Sequence, residues 1–250
     1  MRNVVLETIF QRRSIRKYKA KQVPRKMIYQ IVEAAQRAPT ACGMQTYSFI
    51  LITKKKVRRK ISQAIGKQEC MKQAPVWIII CADMERQLQL LKLLGVKTRF
   101  GPVSMLLPAV IDAALAAENM VIAAEASGLG SVFIGSVWSS LKEVAEILEL
   151  PKNVLPIVLV CLGYPDEAPP TRPRWPIEAV LHEDKYKMPS RELMEKYYKE
   201  ANRLLVEMKY FSKGISNWAE HWQRKFPLSE MVGWEKKLRD DLKELGFMPP

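Results

Sequence analysis

The chain has 250 residues, of which 48% are hydrophobic and 26% are charged, so it can bury a core without disulfide staples. Four cysteines without a CxxC pair and two histidines do not form a zinc pattern, and we expect no metal site and a reducing compartment. The net charge is +14, and residues 1–67 hold 17 lysines and arginines against two glutamates. This asymmetry indicates an anionic partner, which could be a nucleic acid, a membrane surface or a phosphorylated cofactor, or else a solvated basic face.

Neither a signal peptide nor a membrane span is predicted. Residues 1–10 contain no apolar segment of the signal-peptide kind. The best candidate for a span, residues 108–126, is interrupted by Asp112, Glu118 and Glu125. We therefore expect a cytoplasmic protein with no membrane partner.

The first half of the chain predicts two helices, then a strand, a helix and a second strand. The apolar spacing favours helices over Val4–Arg12 and Arg25–Arg37, the second of which ends at a proline. Tyr47–Thr53 and Val76–Ala82 are β-branched runs typical of buried strands, and Lys56–Ile65 between them is predicted to be a helix with a basic outer face.

The second half begins with residues 84–108, which mix leucines, lysines and prolines, and one interpretation of this segment is a lid. An Ala-rich helix is predicted over Ala109–Ser127, with Gly128 as its cap. The remaining predicted elements are a strand at Ser131–Ile134, a helix at Leu141–Leu148, a strand at Leu155–Leu162, an irregular proline-rich segment at residues 168–174 and an amphipathic helix across Leu193–Phe211. We expect one domain, with a core over residues 1–184 and a helical extension over residues 185–250.

Two arginine groups are candidates for phosphate binding. Arg12, Arg13, Ser14 and Arg16 follow the first helix, and guanidinium groups offer forked, permanently charged donors. In Arg172-Pro173-Arg174 the proline stiffens a second pair. Each signal is weak alone because short basic clusters also occur as solvated turns. Both groups would bind one dianion if the fold brought them together.

Two further segments have the composition of a binding surface. The loop Ala38-Pro39-Thr40-Ala41-Cys42-Gly43-Met44-Gln45 ends in a side chain that both donates and accepts, which suits a heterocycle, although a plain connection is the alternative. The stretch Gly128–Ser136 is glycine-rich without being GxGxxG, and it would let a flat molecule approach the backbone.

In their order and spacing, these four segments resemble the nitroreductase family of FMN-dependent oxidoreductases over roughly residues 5–184. The matching segments are RRSIRKY, APTACGMQTYSFILI, EASGLGSVFIGS and LPIVLVCLGYPDEAPPTRPR. The resemblance implies an α+β fold, with a mostly antiparallel central sheet flanked by helices, in an intertwined homodimer with FMN at the interface.

The resemblance also implies roles for individual residues. Arg12, Arg13, Ser14 and Arg16 would hold the FMN phosphate and ribityl chain, and Arg172 and Arg174 would close on the phosphate. The partner subunit would contribute Pro39, Thr40, Ala41, Gly43 and Gln45, while Ile134, Gly135 and Ser136 would lie along the isoalloxazine. Gly43 stands where the family has asparagine, and Thr46-Tyr47 where it has Pro-Trp, so we expect one side-chain contact to the flavin to be lost.

The implied activity is electron transfer from NADH or NADPH through FMN to a small flat acceptor, such as a nitroaromatic or a quinone, with ping-pong kinetics. No side chain acts as a nucleophile or base in this scheme. Alternatives on the same scaffold are ene reduction, reductive dehalogenation, flavin degradation and flavin binding without turnover. A nucleic-acid-binding protein is the alternative from another class, and the absence of any recognised binding motif disfavours it.

Overall fold

The computed structural model describes residues 3–97 and 101–249. Its contacts divide the chain into a sheet unit, residues 1–169 with 234–250, and a helical unit, residues 170–233. These bounds differ from the predicted boundary after residue 184, because residues 170–184 group with the helical unit and residues 234–250 with the sheet unit. The predicted division into a core and one extension remains a prediction.

Four antiparallel strands form the sheet of the first unit, in the order β1-β2-β4-β3. They are β1 Tyr47–Leu51, β2 Val76–Asp83, β3 Gly130–Ile134 and β4 Val154–Gly163. The central strands β2 and β4 are almost wholly buried, which explains their continuous Val, Ile and Leu content. Their register shifts at Cys81, which pairs with Pro156, because proline offers no N–H to the ladder.

The sheet unit also contains several helices, one of them much longer than the rest. Their bounds are α1 Val4–Gln11, α2 Arg25–Ala35, α3 Lys55–Ala64, α4 Glu69–Gln73, α5 Glu85–Leu93, α6 Pro102–Ala126 and α7 Leu141–Ile147. The longest of them, α6, contacts α2 and all four strands. Its buried face consists largely of alanines, and these small side chains let the helix lie close to the sheet.

Helix α6 is long and apolar enough to cross a membrane by length and composition. Its packing against the sheet and its buried Asp112 identify it as the core helix of this unit. It begins at Pro102 and continues through Pro108, so the prediction of a start at Ala109 was wrong. Pro102 occupies the first helical turn, where proline is favoured, and the helix tolerates Pro108 at the loss of one backbone hydrogen bond.

The lid interpretation of residues 84–108 falls partly on residues 98–100, which lie outside the described residues. The rest of that segment consists mainly of α5 and the first turns of α6. The other predicted helices and strands are confirmed within one or two residues at most ends, and residues 168–174 have no regular structure, as predicted.

In the helical unit, the predicted amphipathic helix is present as α8 Arg191–Glu207, followed by α9 Trp218–Lys225. The predicted end at Phe211 was wrong by four residues, because Lys209 has a left-handed φ of 51° that ends the helix. Helix α10 Leu228–Glu244 begins in this unit and ends in the sheet unit. Ser190 and Asn217 cap α8 and α9 by accepting hydrogen bonds from backbone N–H groups. The unit is built on aromatic contacts, among them Trp175 stacked on Tyr197 at 3.8 Å between ring centroids.

Candidate functional site

The N-terminal arginine cluster lies against the glycine-rich strand β3. Ser14 forms a parallel bridge with Ser131, and the Ile15 N–H donates to the Ser131 carbonyl at 2.8 Å. Gly130 permits this approach, because a Cβ on it would lie 2.6 Å from Ile15 Cγ1. The fold therefore joins two segments that the sequence only suggested as separate motifs.

The guanidinium groups of this cluster differ in their hydrogen-bond and ion-pair partners. Arg12 pairs with Glu118 at 3.5 Å, and Arg13 donates to the carbonyls of Gln11 at 2.9 Å and Pro169 at 3.0 Å. Arg16 is exposed, and its guanidinium makes no hydrogen bond or ion pair with another described residue. Arg16 is therefore the member of the cluster most available to a phosphate.

Glu167 fixes the backbone at Arg16 and Lys17. Its carboxylate accepts from the N–H groups of Arg16 at 2.5 Å and Lys17 at 3.1 Å. The Tyr18 hydroxyl donates to the Ile15 carbonyl at 2.7 Å, and burial raises the pKa of Tyr18 far above its usual range. Tyr18 therefore stays neutral and acts as a structural donor.

Ile134, Gly135 and Ser136 lie where β3 ends and a short 3-10 turn begins. Nothing lies within 4 Å of the position that a Cβ on Gly135 would take, so the backbone is open on that side. The Ser136 hydroxyl accepts from the Gln68 side-chain amide at 3.2 Å. Sequence reasoning missed Gln68, because a single amide before a five-residue helix carries no pattern.

The loop of residues 39–45 has an unusual backbone. Cys42, Gly43 and Gln45 have φ values of 50°, 68° and 52°, in the left-handed region that favours glycine. Such conformations persist only when the surroundings enforce them. Arg86, on α5, does so by donating to the Gln45 carbonyl at 2.6 Å, and Asp112 accepts from the Ala41 N–H at 2.9 Å.

The fold does not place this loop beside the arginine cluster of its own chain. The loop leads directly into β1, at one edge of the sheet, whereas Ser14 adjoins β3 at the opposite edge. Three strand spacings separate these edges, a distance of about 14 Å. Pro39, Thr40, Ala41, Gly43 and Gln45 therefore lie toward the opposite edge of the sheet from the arginine cluster, and their contribution to a flavin site stays a prediction.

Arg172 and Arg174 belong to the helical unit. The Arg172 guanidinium lies 4.4 Å from the ring centroid of Tyr210, and Arg174 donates to the Pro173 carbonyl at 3.1 Å. Their convergence with the first arginine cluster stays a prediction.

Two of the buried thiols and the acidic side chains are candidates for other chemistry in the described part of the chain. Burial raises the pKa of the Cys81 and Cys161 thiols far above the usual range, so both are unreactive. Across residues 3–97 and 101–249, no group of three or more His, Cys, Asp or Glu side chains is placed to hold a metal ion.

The arrangement fits FMN on two observations of this structure. An exposed, unpaired guanidinium meets the need of a phosphate for charge-assisted donors. An open backbone at Gly135 meets the need of a flat ring for close approach.

Fold and site together define an α+β protein in which a phosphate-receptive arginine cluster adjoins an open strand end. A family model for the nitroreductase family matches residues 9–69 and 64–164, more than half of the chain. The chain belongs to the nitroreductase family, which confirms the resemblance of its motifs and its predicted fold class.

Curated relatives and solved structures agree with this assignment. The chain is 32% identical over 223 residues to the oxygen-insensitive NADPH nitroreductase of Salmonella typhimurium, covering 88% of this chain and 89% of that protein. It is 37% identical over 187 residues to an FMN reductase [NAD(P)H] of Bacillus subtilis, covering 74% and 75%. NfrA2 of B. megaterium superposes with a TM-score of 0.89 at 28% identity over 99% of both chains.

Proposed function

We propose that the chain holds FMN and passes electrons from NADH or NADPH to a small flat acceptor, such as a nitroaromatic or a quinone, by a ping-pong mechanism. It is an oxidoreductase by its family, and relatives named FMN reductase (NADPH) and NADPH-flavin oxidoreductase support the cofactor and the donor. The observation that carries the proposal is the arginine cluster held against β3 with the Arg16 guanidinium unpaired. With its buried thiols free, the chain suits the reducing cytoplasm.

When bound, FMN would supply the redox chemistry that links the nicotinamide donor to the acceptor. The protein would bind the cofactor and orient it. Arg16 and Arg12 donate to the phosphate, with Arg13 holding the backbone course of the motif through Gln11 and Pro169. Gly135 leaves room for the ring beside the backbone of Ile134 and Ser136.

A second copy of the chain completes the proposed site. Helix α6 exposes Val103, Leu107, Ile111 and Leu115 at four-residue spacing, which places them in one apolar stripe. Helix α1 contains no buried residue, and its Phe10 is 75% exposed. Burial of these surfaces in a homodimer would bring the 39–45 loop of one subunit to the arginine cluster of the other.

The dimer is tested by Leu107→Lys with Ile111→Lys. We expect monomers in light scattering after gel filtration, with loss of bound FMN. A matched control, Leu93→Lys with Leu94→Lys, changes two exposed leucines outside the stripe and should leave the assembly intact. A monomeric variant that still retains FMN would contradict the interfacial site.

The cofactor is tested by visible absorbance of the purified protein and identification of the released chromophore. We expect one FMN per chain. In Arg16→Ala the Kd for FMN should rise about 10- to 100-fold, the value of a charge-assisted hydrogen bond, while the Kd for riboflavin stays unchanged. Arg59→Ala, at an exposed arginine remote in sequence from the motifs, is the control. A colourless protein that takes up no added FMN would contradict the proposal.

The ping-pong order is tested by initial rates at several donor and acceptor concentrations. We expect parallel double-reciprocal lines, because the donor and the acceptor would bind in turn at the same position beside the flavin. Intersecting lines would require the donor and the acceptor to bind at once and would contradict the ping-pong mechanism.

A further inference from the structure

Helix α3 carries a row of cations that the flavin site does not use. Its outward residues are Lys54, Lys55, Lys56, Arg59 and Lys60, all exposed, and we call them the α3 basic surface. Arg58, within the same run, is instead turned inward and donates to the carbonyls of Ile52 at 3.0 Å, Ala74 at 3.1 Å and Pro75 at 2.6 Å. One cation of the run is thus structural, and five face solvent.

The α3 basic surface differs from the other charged helices of the molecule. Exposed arginines of α8 and α10 pair with glutamates four residues away, as in Arg203–Glu207 and Arg239–Glu235. In the described part of the chain, none of the five cations of the α3 basic surface forms an ion pair or a side-chain hydrogen bond. No acidic residue occurs between positions 52 and 67. The positive charge is therefore left for an external anion.

The surroundings of this surface restrict the kind of anion. The apolar residues of α3 face the core, with Ile61 fully buried, and residues 53–67 contribute none of the exposed large hydrophobic side chains. A helix that inserts into a membrane interface needs an apolar face beside its cations, and a protein partner needs an apolar centre. The α3 basic surface offers neither, and it carries no aromatic ring to stack on a base.

We propose that the α3 basic surface binds the phosphate backbone of nucleic acid, without regard to base sequence. Duplex DNA carries one negative charge per about 1.7 Å of its axis, which suits a narrow row of cations. Pairs such as Lys55–Arg59 and Lys56–Lys60 are four residues apart, or about 6 Å along the helix. Binding to the phosphate backbone needs no base-reading motif, and the proposal does not depend on the flavin chemistry.

The test uses the FMN-loaded protein and a fluorescent 20-bp duplex of mixed sequence. If about four cations contact phosphates, log K should fall with log salt with a slope of about −3.6. Affinity should then fall roughly 150-fold between 50 and 200 mM salt. A flat salt dependence, or no binding at 50 mM salt, would overturn the proposal.

The variant for this test is Lys55→Glu with Lys56→Glu. Acidic residues in the first helical turn favour the helix dipole, so this variant should unfold at the same or a higher urea concentration than the parent. It should lose duplex binding by 100-fold or more and retain its FMN. Its control, Lys199→Glu with Lys236→Glu, makes the same change in net charge on α8 and α10 and should lose less than fivefold.

Equal loss in both variants would show that only net charge matters and would overturn the assignment to α3. Vesicles of anionic phospholipid serve as the competing probe. Binding to vesicles that depends on Lys55 and Lys56, without binding to the duplex, would replace nucleic acid by a lipid surface and contradict the proposal.

Discussion

The buried carboxylate of Asp112 accepts two hydrogen bonds from Thr46, one from the backbone N–H at 3.2 Å and one from the hydroxyl at 2.7 Å. Its other oxygen accepts from the Ala41 N–H at 2.9 Å. Both Asp112 and Thr46 are at most 1% exposed. A single side chain of the core helix therefore ties both ends of the strained loop that is proposed to reach the flavin of the partner subunit.

Replacing Asp112 by alanine should destabilise the protein by about 3 kcal/mol or more, because three donors lose their acceptor, two of them on the buried Thr46. The free energy of unfolding in urea measures this. Asp240→Ala, at an exposed carboxylate near the end of α10, is the control and should change it by less than about 0.5 kcal/mol. The exposed Cys42 thiol in the loop should also react faster with a thiol reagent. A loss below 1 kcal/mol would contradict this role of Asp112.

Arg86 holds the other side of the same loop. Its Nη2 donates to the carbonyls of Gln45 at 2.6 Å and Tyr47 at 2.8 Å, while its Nη1 donates to the Ser48 hydroxyl at 3.2 Å. Both arms of the guanidinium are therefore used, and a single ammonium group does not replace them. If the loop binds FMN, Arg86→Ala should raise the Kd for FMN about tenfold, the equivalent of 1.4 kcal/mol, and Arg86→Lys should not restore it.

Arg239→Ala is the control for Arg86, since it removes an exposed ion pair with Glu235 at 2.6 Å. Its Kd for FMN, measured by flavin fluorescence, should stay within twofold of the parent. Full rescue by lysine at position 86 would show that charge alone, and not the fork, positions the loop.

Two glycines allow a matched test of the junction between the arginine cluster and β3. In Gly130→Ala the new Cβ would lie 2.6 Å from Ile15 Cγ1 and 2.8 Å from Ile15 Cβ, so the segment that contains Ile15 must move away from β3. We expect a loss of about 1–3 kcal/mol in unfolding free energy and weaker FMN binding. Gly233→Ala, inside α10 with nothing within 4 Å, should be neutral or stabilising. Equal effects would contradict the close approach.

The elements that the sequence predicted well are those in which one signal dominates. The runs Val76–Ala82 and Leu155–Leu162 are apolar and β-branched throughout, and only a central strand buries such a segment on both faces. The RRSIRKY motif is predicted to hold a phosphate because three guanidinium groups and a hydroxyl fall within five residues, and that role stays a prediction.

The contacts that complete the site were not predictable, because they join segments distant in sequence. Nothing local indicates that Arg86 supports the Gln45 carbonyl, or that Gln68 reaches Ser136. The start of α6 was misplaced because proline ends most helices, whereas the packing of α6 on the sheet outweighs the hydrogen bond lost at Pro108. Tertiary contacts override local preference at such positions.

The pKa values of Glu125 and Glu85 are shifted in opposite directions, which allows a test of stability against pH. Burial raises the pKa of Glu125, although the Ser131 hydroxyl donates to it at 2.6 Å. Hydrogen bonds from Gln89 and Asn153 lower the pKa of Glu85. For Glu125 the folded state holds its proton more tightly than the unfolded state, so its contribution to stability is lost as pH rises above the ordinary value of 4.5. For Glu85 the contribution is present above that value and is lost on acidification.

The variants Glu125→Gln and Glu85→Gln should therefore shift the free energy of unfolding in opposite directions at pH 7. Glu125→Gln removes the cost of an ionised, half-buried carboxylate and should be more stable than the parent, with a gain that disappears at pH 4. Glu85→Gln should be less stable at pH 7, because its amide N–H₂ would face the donor of Gln89 or Asn153, and its deficit should shrink on acidification. Urea unfolding at both pH values measures the two differences, and shifts of the same sign would contradict the assignment of burial to Glu125 and of hydrogen bonding to Glu85.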